Sequence, residues 1–185
     1  MSDPKVFVQE LVARARKAQE AIVDLNQEQV DEVVAAVAWA MVQEDVVKEI
    51  SEFAVEETQL GNVQGKRVKL EKKVRGALRD MIGAKTVGII ERDAAKGLIK
   101  IAKPVGVIGA LVPTTNPEAT PVLKAMDALK GKNAIIFAPH PRSKGTNMKV
   151  TNIMRGVLKK YNLPEDLLIS IEEPTVDISG ELMKQ

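Results

Sequence analysis

The sequence predicts an α/β fold: N-terminal helices, then a β-hairpin, then an open parallel sheet with helices on both faces. Three observations predict it. Apolar residues recur at helical spacing through roughly the first 83 residues. Two strand-like runs, Val87–Arg92 and Leu98–Ala102, flank the turn-rich Asp93–Gly97 and read as a hairpin. From Val105 onward, continuous apolar runs alternate with amphipathic stretches, the strand–helix–strand–helix–strand order of right-handed parallel crossovers.

Each element has its own signal. Val8, Leu11, Val12, Ala15 and Ala18 share one face of a first helix. Asn26 lies three residues before Gln29, the spacing of a capping box, and opens a second helix with Val30, Val33, Val34, Val37 and Met41 inward. Val46, Val47, Ile50, Phe53 and Ala54 mark a third. Gly61 and Gly65 punctuate the chain before a fourth helix that carries Val74, Leu78 and Met81. The charged faces of these helices read as solvated surface. An isolated hairpin is marginally stable, so the segment 87–102 is expected to find another strand in this subunit or a neighbour.

Val105–Val112 reads as a strand buried on both faces. A helix follows with Val122, Leu123, Met126 and Leu129 inward. Ala134–Ala138 is a second buried strand, a helix spans about Ser143–Lys160, and Leu167–Ile171 is a third strand. Asp177–Met183 opens one more helix. Such sheets usually carry more than three strands, so the chain is expected to be part of a longer one, with a small three-layer domain as the alternative.

Composition narrows the chemistry. Lys plus Arg is 27 against 25 for Asp plus Glu, a formal net charge of +2, which argues against a dedicated nucleic-acid surface. No apolar run approaches the roughly 20 residues that span a bilayer, so no membrane role is expected. The N-terminal residues lack a basic start and an apolar segment, and a cytoplasmic location is expected. With Cys 0 there is no disulfide, thiolate metal site or thiol nucleophile in this chain. No GxGxxG follows a predicted strand, and no Walker loop, HExxH or EF-hand loop is present.

Ligands of open α/β sheets bind beyond the carboxyl ends of the strands. Two segments fall there. Pro113-Thr114-Thr115-Asn116-Pro117 follows the first buried strand; its prolines restrain the backbone, Asn116 offers an amide donor, and the N–H groups of the next helix start could face an anion. Pro139-His140-Pro141-Arg142 follows the second strand, with the one histidine of the chain and a guanidinium able to pair with phosphate. A Pro-rich loop also redirects a chain without binding anything, and a lone loop histidine is commonly a surface residue. The residues alone leave both readings open.

Pro104-Val-Gly-Val-Ile-Gly-Ala-Leu-Val-Pro-Thr-Thr-Asn-Pro117, Asn133-Ala-Ile-Ile-Phe-Ala-Pro-His-Pro-Arg142 and Leu163-Pro-Glu-Asp-Leu resemble the aldehyde dehydrogenase superfamily, in its CoA-acylating branch. The resemblance includes the aldehyde dehydrogenase half of the bifunctional aldehyde–alcohol dehydrogenases. It runs over nearly the whole chain and is most specific over 104–142. It implies a Rossmann-like sheet and divides the chain into three: 1–84, the N-terminal helical part of the cofactor-binding domain; 85–103, an oligomerisation-type hairpin; and 104–185, the first half of the NAD(P)-binding sheet, with the catalytic domain absent.

In that family a cysteine thiolate attacks an aldehyde, hydride passes to NAD or NADP, and coenzyme A takes the acyl group. The resemblance implies Asn116 as the oxyanion donor, with Thr115 as the alternative if the loop is aligned proline to proline. It places Pro113, Thr114, Thr115, His140, Pro141 and Arg142 along the cofactor, and the hairpin 87–102 in homo-oligomer contacts. It implies a small aldehyde as substrate and an inactive chain in the absence of the cysteine. The alternatives are a non-catalytic interaction module and part of an acyl-phosphate-reducing relative.

Overall fold

The computed structural model describes residues 3–185. The first two residues, which open the stretch read for a leader, lie outside them. Four helices come first: α1 (Pro4–Glu20), α2 (Gln27–Met41), α3 (Glu44–Thr58) and α4 (Val63–Met81). Each start has a local cause. Asp3 caps α1 by accepting from Lys5 N, ahead of a proline at the first helical position. The Asn26–Gln29 capping box of α2 is fully formed. Asn62 caps α4 through Gly65 N, so Gly65 lies inside the first turn of α4 and does not precede it as its punctuating role implied.

Strands β1 (Gly88–Asp93) and β2 (Leu98–Ala102) form the expected antiparallel hairpin. Among the described residues it pairs with no third strand. Gln27 holds its base: Gln27 Oε1 accepts from Thr86 N at 2.7 Å and Val87 N at 3.0 Å.

The remainder is a parallel sheet of β3 (Val107–Val112), β4 (Ala134–Pro139) and β5 (Leu168–Ser170), in that order. Helix α5 (Thr120–Lys130) joins β3 to β4, a 3-10 turn (Pro141–Ser143) and α6 (Lys144–Lys160) join β4 to β5, and α7 (Val176–Leu182) follows. Two like-handed crossovers in a linear strand order put α5 and α6 on one face, where they touch each other and α2. Helix α1 packs on the strands and on α7, covering the other face. One apolar cluster runs from Val8 through Phe137 to Leu182, so helices and sheet share a core.

Central β4 is buried at every residue. The run 105–112 does not behave as expected. Strand β3 has β4 on one side only, and Gly109 and Leu111 are exposed, Leu111 by 58%. An unbroken apolar run marks a strand able to lie between two layers, but the cover depends on what packs there. Asn133 sets where β3 begins: its Oδ1 accepts from Val105 N at 2.7 Å and Gly106 N at 2.9 Å. Gly106 has φ +112, a conformation that L side chains rarely adopt.

Candidate functional site

Strands β3 and β4 are in register, with Val112 opposite Pro139, and His140 N donates to Val112 O at 3.0 Å. The loops 113–119 and 140–143 therefore leave the carboxyl edge of the sheet side by side. All seven residues singled out from the sequence lie on this rim.

In the first loop, Asn116 N donates to Pro113 O at 3.4 Å, closing the turn. Pro113 and Thr115 are exposed, and Thr114 and Asn116 are half-buried. Thr120 N donates to Asn116 O at 3.1 Å and Pro121 has no N–H, which takes two groups away from those the start of α5 could offer an anion.

Beneath the loop lies an ion pair that the sequence reading missed. Glu118 is fully buried, and its Oε2 is 3.0 Å from Lys66 Nζ, itself 3% exposed. Lys66 Nζ also donates to Thr115 O at 3.2 Å. One turn along α4, Lys69 Nζ donates to Asn116 Oδ1 at 2.8 Å and stands 3.7 Å from Glu118 Oε1. An ammonium only donates, so the amide atom facing Lys69 is oxygen. Asn116 Nδ2 is thereby turned the other way. It spends one hydrogen on Thr115 Oγ1 at 3.1 Å and keeps one for a ligand. The charged faces of the helices are thus not all solvated surface. The sequence held one signal: Lys66, Leu70 and Val74 follow at four-residue spacing, which puts Lys66 on the buried stripe of α4.

In the second loop, His140 Nδ1 accepts from Arg142 N at 3.1 Å. A neutral imidazole accepting there carries its proton on Nε2, the ring position left for a ligand. Arg142 donates through one terminal nitrogen to Thr58 O at 3.0 Å, closing the last turn of α3. Pro141 is exposed. Glu57 reaches the start of α6 from α3: it accepts from Gly145 N at 2.7 Å, Thr146 N at 2.8 Å and Thr146 Oγ1 at 2.6 Å. This carboxylate fills the anion site that a helix start offers. A Cβ on Gly145 would come 2.8 Å from Glu57 Oε1 and 3.1 Å from the Phe53 ring, so the close approach needs glycine.

The strongest carboxylate perturbation lies elsewhere. Arg14 hydrogen-bonds Asp166 through two nitrogens, at 2.8 and 3.0 Å, and this holds the Asp166 carboxyl below its ordinary value. Among the described residues there is no group of three His, Cys, Asp or Glu able to hold a metal. No helix there is long and apolar enough to cross a membrane.

The fold and this rim define the class. The profile of the aldehyde dehydrogenase family matches residues 4–185, and the chain belongs to that family. A sulfoacetaldehyde dehydrogenase of Acholeplasma is 47% identical over 174 residues, covering 94% of this chain and 36% of that protein. An acetylating aldehyde dehydrogenase from Geobacillus thermoglucosidasius superposes with a TM-score of 0.94 at 32% identity, over 100% of this chain and 41% of its own. An engineered glycolyl-CoA reductase with bound NADP+ superposes at 0.78 with 28% identity, over 95% and 39%. The relatives are acylating aldehyde dehydrogenases, and the chain spans just over a third of the length of the curated relative named here.

Proposed function

We propose that this chain is the nucleotide-binding front part of an NAD(P)-dependent, CoA-acylating aldehyde dehydrogenase. The whole enzyme would turn a small aldehyde, coenzyme A and NAD(P)+ into acyl-CoA and NAD(P)H. The observation that carries this reading is the register of Val112 against Pro139, which sets the Asn116 and His140 loops next to one another at the strand ends.

The residues fit the adenosine side of a dinucleotide. His140 Nε2 and the unengaged nitrogens of Arg142 are free to donate to ribose or phosphate oxygens, and Pro113, Thr114, Thr115 and Pro141 form the rim between them. The start of α6 does not fit a phosphate, because Glu57 occupies its N–H groups. Phosphate contacts therefore have to come from other residues. The dinucleotide would supply the hydride acceptor.

Asn116 is the oxyanion donor in this reading. Lys69 holds its oxygen, and the remaining Nδ2 hydrogen is available where negative charge develops on an aldehyde oxygen. Thr115 is the weaker candidate, because it is exposed and water competes for its hydroxyl, whereas Asn116 is half-buried. This chain has no cysteine and does not catalyse the reaction by itself. The substrate named for the 47% identical relative carries a sulfonate, which favours an aldehyde with an acidic tail.

We assign residues 1–84 and 104–185 to one cofactor-binding domain, on the strength of their shared core, and 85–103 to subunit assembly. The hairpin exposes Ile89, Leu98, Ile99 and Ile101, the last by 56%, a surface suited to another copy. Calorimetric titration of the chain with NAD+, NADP+ and AMP, followed by NMR at His140 and Asn116, tests the nucleotide reading. Weak binding with shifts at His140 is expected; no heat and no shifts at millimolar ligand would overturn it.

A further inference from the structure

A cavity of about 280 Å³ opens beside the Asn116 loop, lined by Leu60, Gly61, Asn62, Gly65, Lys66, Lys69 and Thr115. We infer that it is an anion subsite, with Lys69 as its contact, that takes the carboxylate or sulfonate end of a short aldehyde. This rests on reading the Asn116 loop as the aldehyde-binding edge.

Charge accounting leads to Lys69. Two ionisable groups line the cavity, Lys66 and Lys69, and both contact Glu118, which is buried behind them. Lys66 is neutralised by Glu118 at 3.0 Å and has a second bond to Thr115 O, and it is buried. The carboxylate is thereby committed, and two ammonium groups share it, which leaves one positive charge over. That charge sits on Lys69, whose side chain is 34% exposed. Lys69 has three N–H donors and spends one on Asn116, with a longer ion pair to Glu118. The first turn of α4 adds the positive end of a helix to the same wall.

Size and reach fix the class. The volume holds about nine waters at roughly 30 Å³ each, enough for a chain of a few atoms and too little for a nucleotide. An anion bonded to Lys69 at about 2.8 Å lies within roughly 6 Å of Asn116 Oδ1 and within roughly 8 Å of Nδ2 on the other side of that amide. A two- to four-carbon aldehyde spans that interval with its carbonyl at Asn116 and its anion at Lys69. Lys69 then has two partners in one substrate-bound arrangement: it fixes the amide that meets the aldehyde oxygen and it selects an acidic tail.

The test uses the 185-residue chain, with isethionate and glycolate as unreactive anionic probes and ethylene glycol as the neutral control. NMR is expected to show saturable millimolar binding of at least one anion, with shifts at Gly61, Gly65 and the Asn116 side-chain amide. Ethylene glycol should leave these unmoved. Lys69→Met should weaken binding by at least about tenfold, and Lys69→Arg should restore it, because the lost contact is charge-assisted. Should Lys69→Met fail to fold, Lys69→Gln removes the charge while keeping a donor for Asn116. Equal shifts with ethylene glycol, no saturable shift with either anion, or unchanged affinity in the charge-removing variant would overturn the subsite. AMP binding at His140 reports separately on the nucleotide reading, so either result can fail while the other stands.

Discussion

The two rim loops are braced in opposite ways. Loop 113–119 rests on charge buried beneath it: Glu118 and Lys66 pair out of water, and Lys66 also holds the Thr115 carbonyl. Loop 140–143 is tied from the side, Arg142 to the end of α3 and Glu57 from α3 to the start of α6. A buried pair loses far more when one partner goes than a half-exposed hydrogen-bond set does, because the remaining charge has no water to turn to. The first loop is therefore bound into the stability of the whole chain. The second can change its ligand contacts with little consequence for the fold.

That contrast can be broken in steps. The largest effect is expected from Lys66→Met, which leaves Glu118 at 0% exposure with only the longer 3.7 Å contact to Lys69; chemical denaturation should show a loss of about 3 kcal/mol. Lys66→Met combined with Glu118→Gln should recover part of it, and a double variant as unstable as the sum of the singles would refute the pairing. Glu57→Ala removes the acceptor of three hydrogen bonds at α6 and should cost about 1–3 kcal/mol by the same measurement. It should also free the α6 start, so a rise in phosphate affinity is expected alongside. His140→Ala should shift stability by no more than about 0.5 kcal/mol while AMP binding falls.

The smallest effect concerns the far edge of the sheet. Hydrogen bonding from Arg14 lowers Asp166 in the folded chain, so its contribution is present above the unfolded-state value and is lost as pH falls through the folded one. Asp166→Asn should flatten the acid limb of the stability profile by lowering the neutral region, by less than about 1 kcal/mol because the pair is partly exposed to solvent, and should leave the acid end unchanged.

Legibility in the sequence differed by the range of the interaction. The capping box at Asn26 and the buried run ending in Phe137-Ala138 depend on neighbours a few residues away, and both were readable. The adjacency of Asn116 and His140 was readable because right-handed crossovers leave little choice for consecutive parallel strands. Glu57 was partly readable: four residues past Phe53 and three past Ala54, it continues the inward stripe of α3, but only the packing of α3 on α6 shows that it meets the start of α6. Lys66 was half readable, from its place on the Leu70–Val74 stripe, but its partner is 52 residues away.

The order of elements, the caps, the family motifs and the edge of the sheet that carries both loops were all determined by the sequence itself, since each follows from local backbone preference or from chain handedness. Tertiary structure alone decided which charges are buried, which face of Asn116 is free, that Glu57 fills the α6 start, and that β3 is left partly uncovered. Those outcomes depend on distances between segments far apart in the chain. Electrostatic and packing energies change steeply over an ångström, and residue order does not specify that ångström.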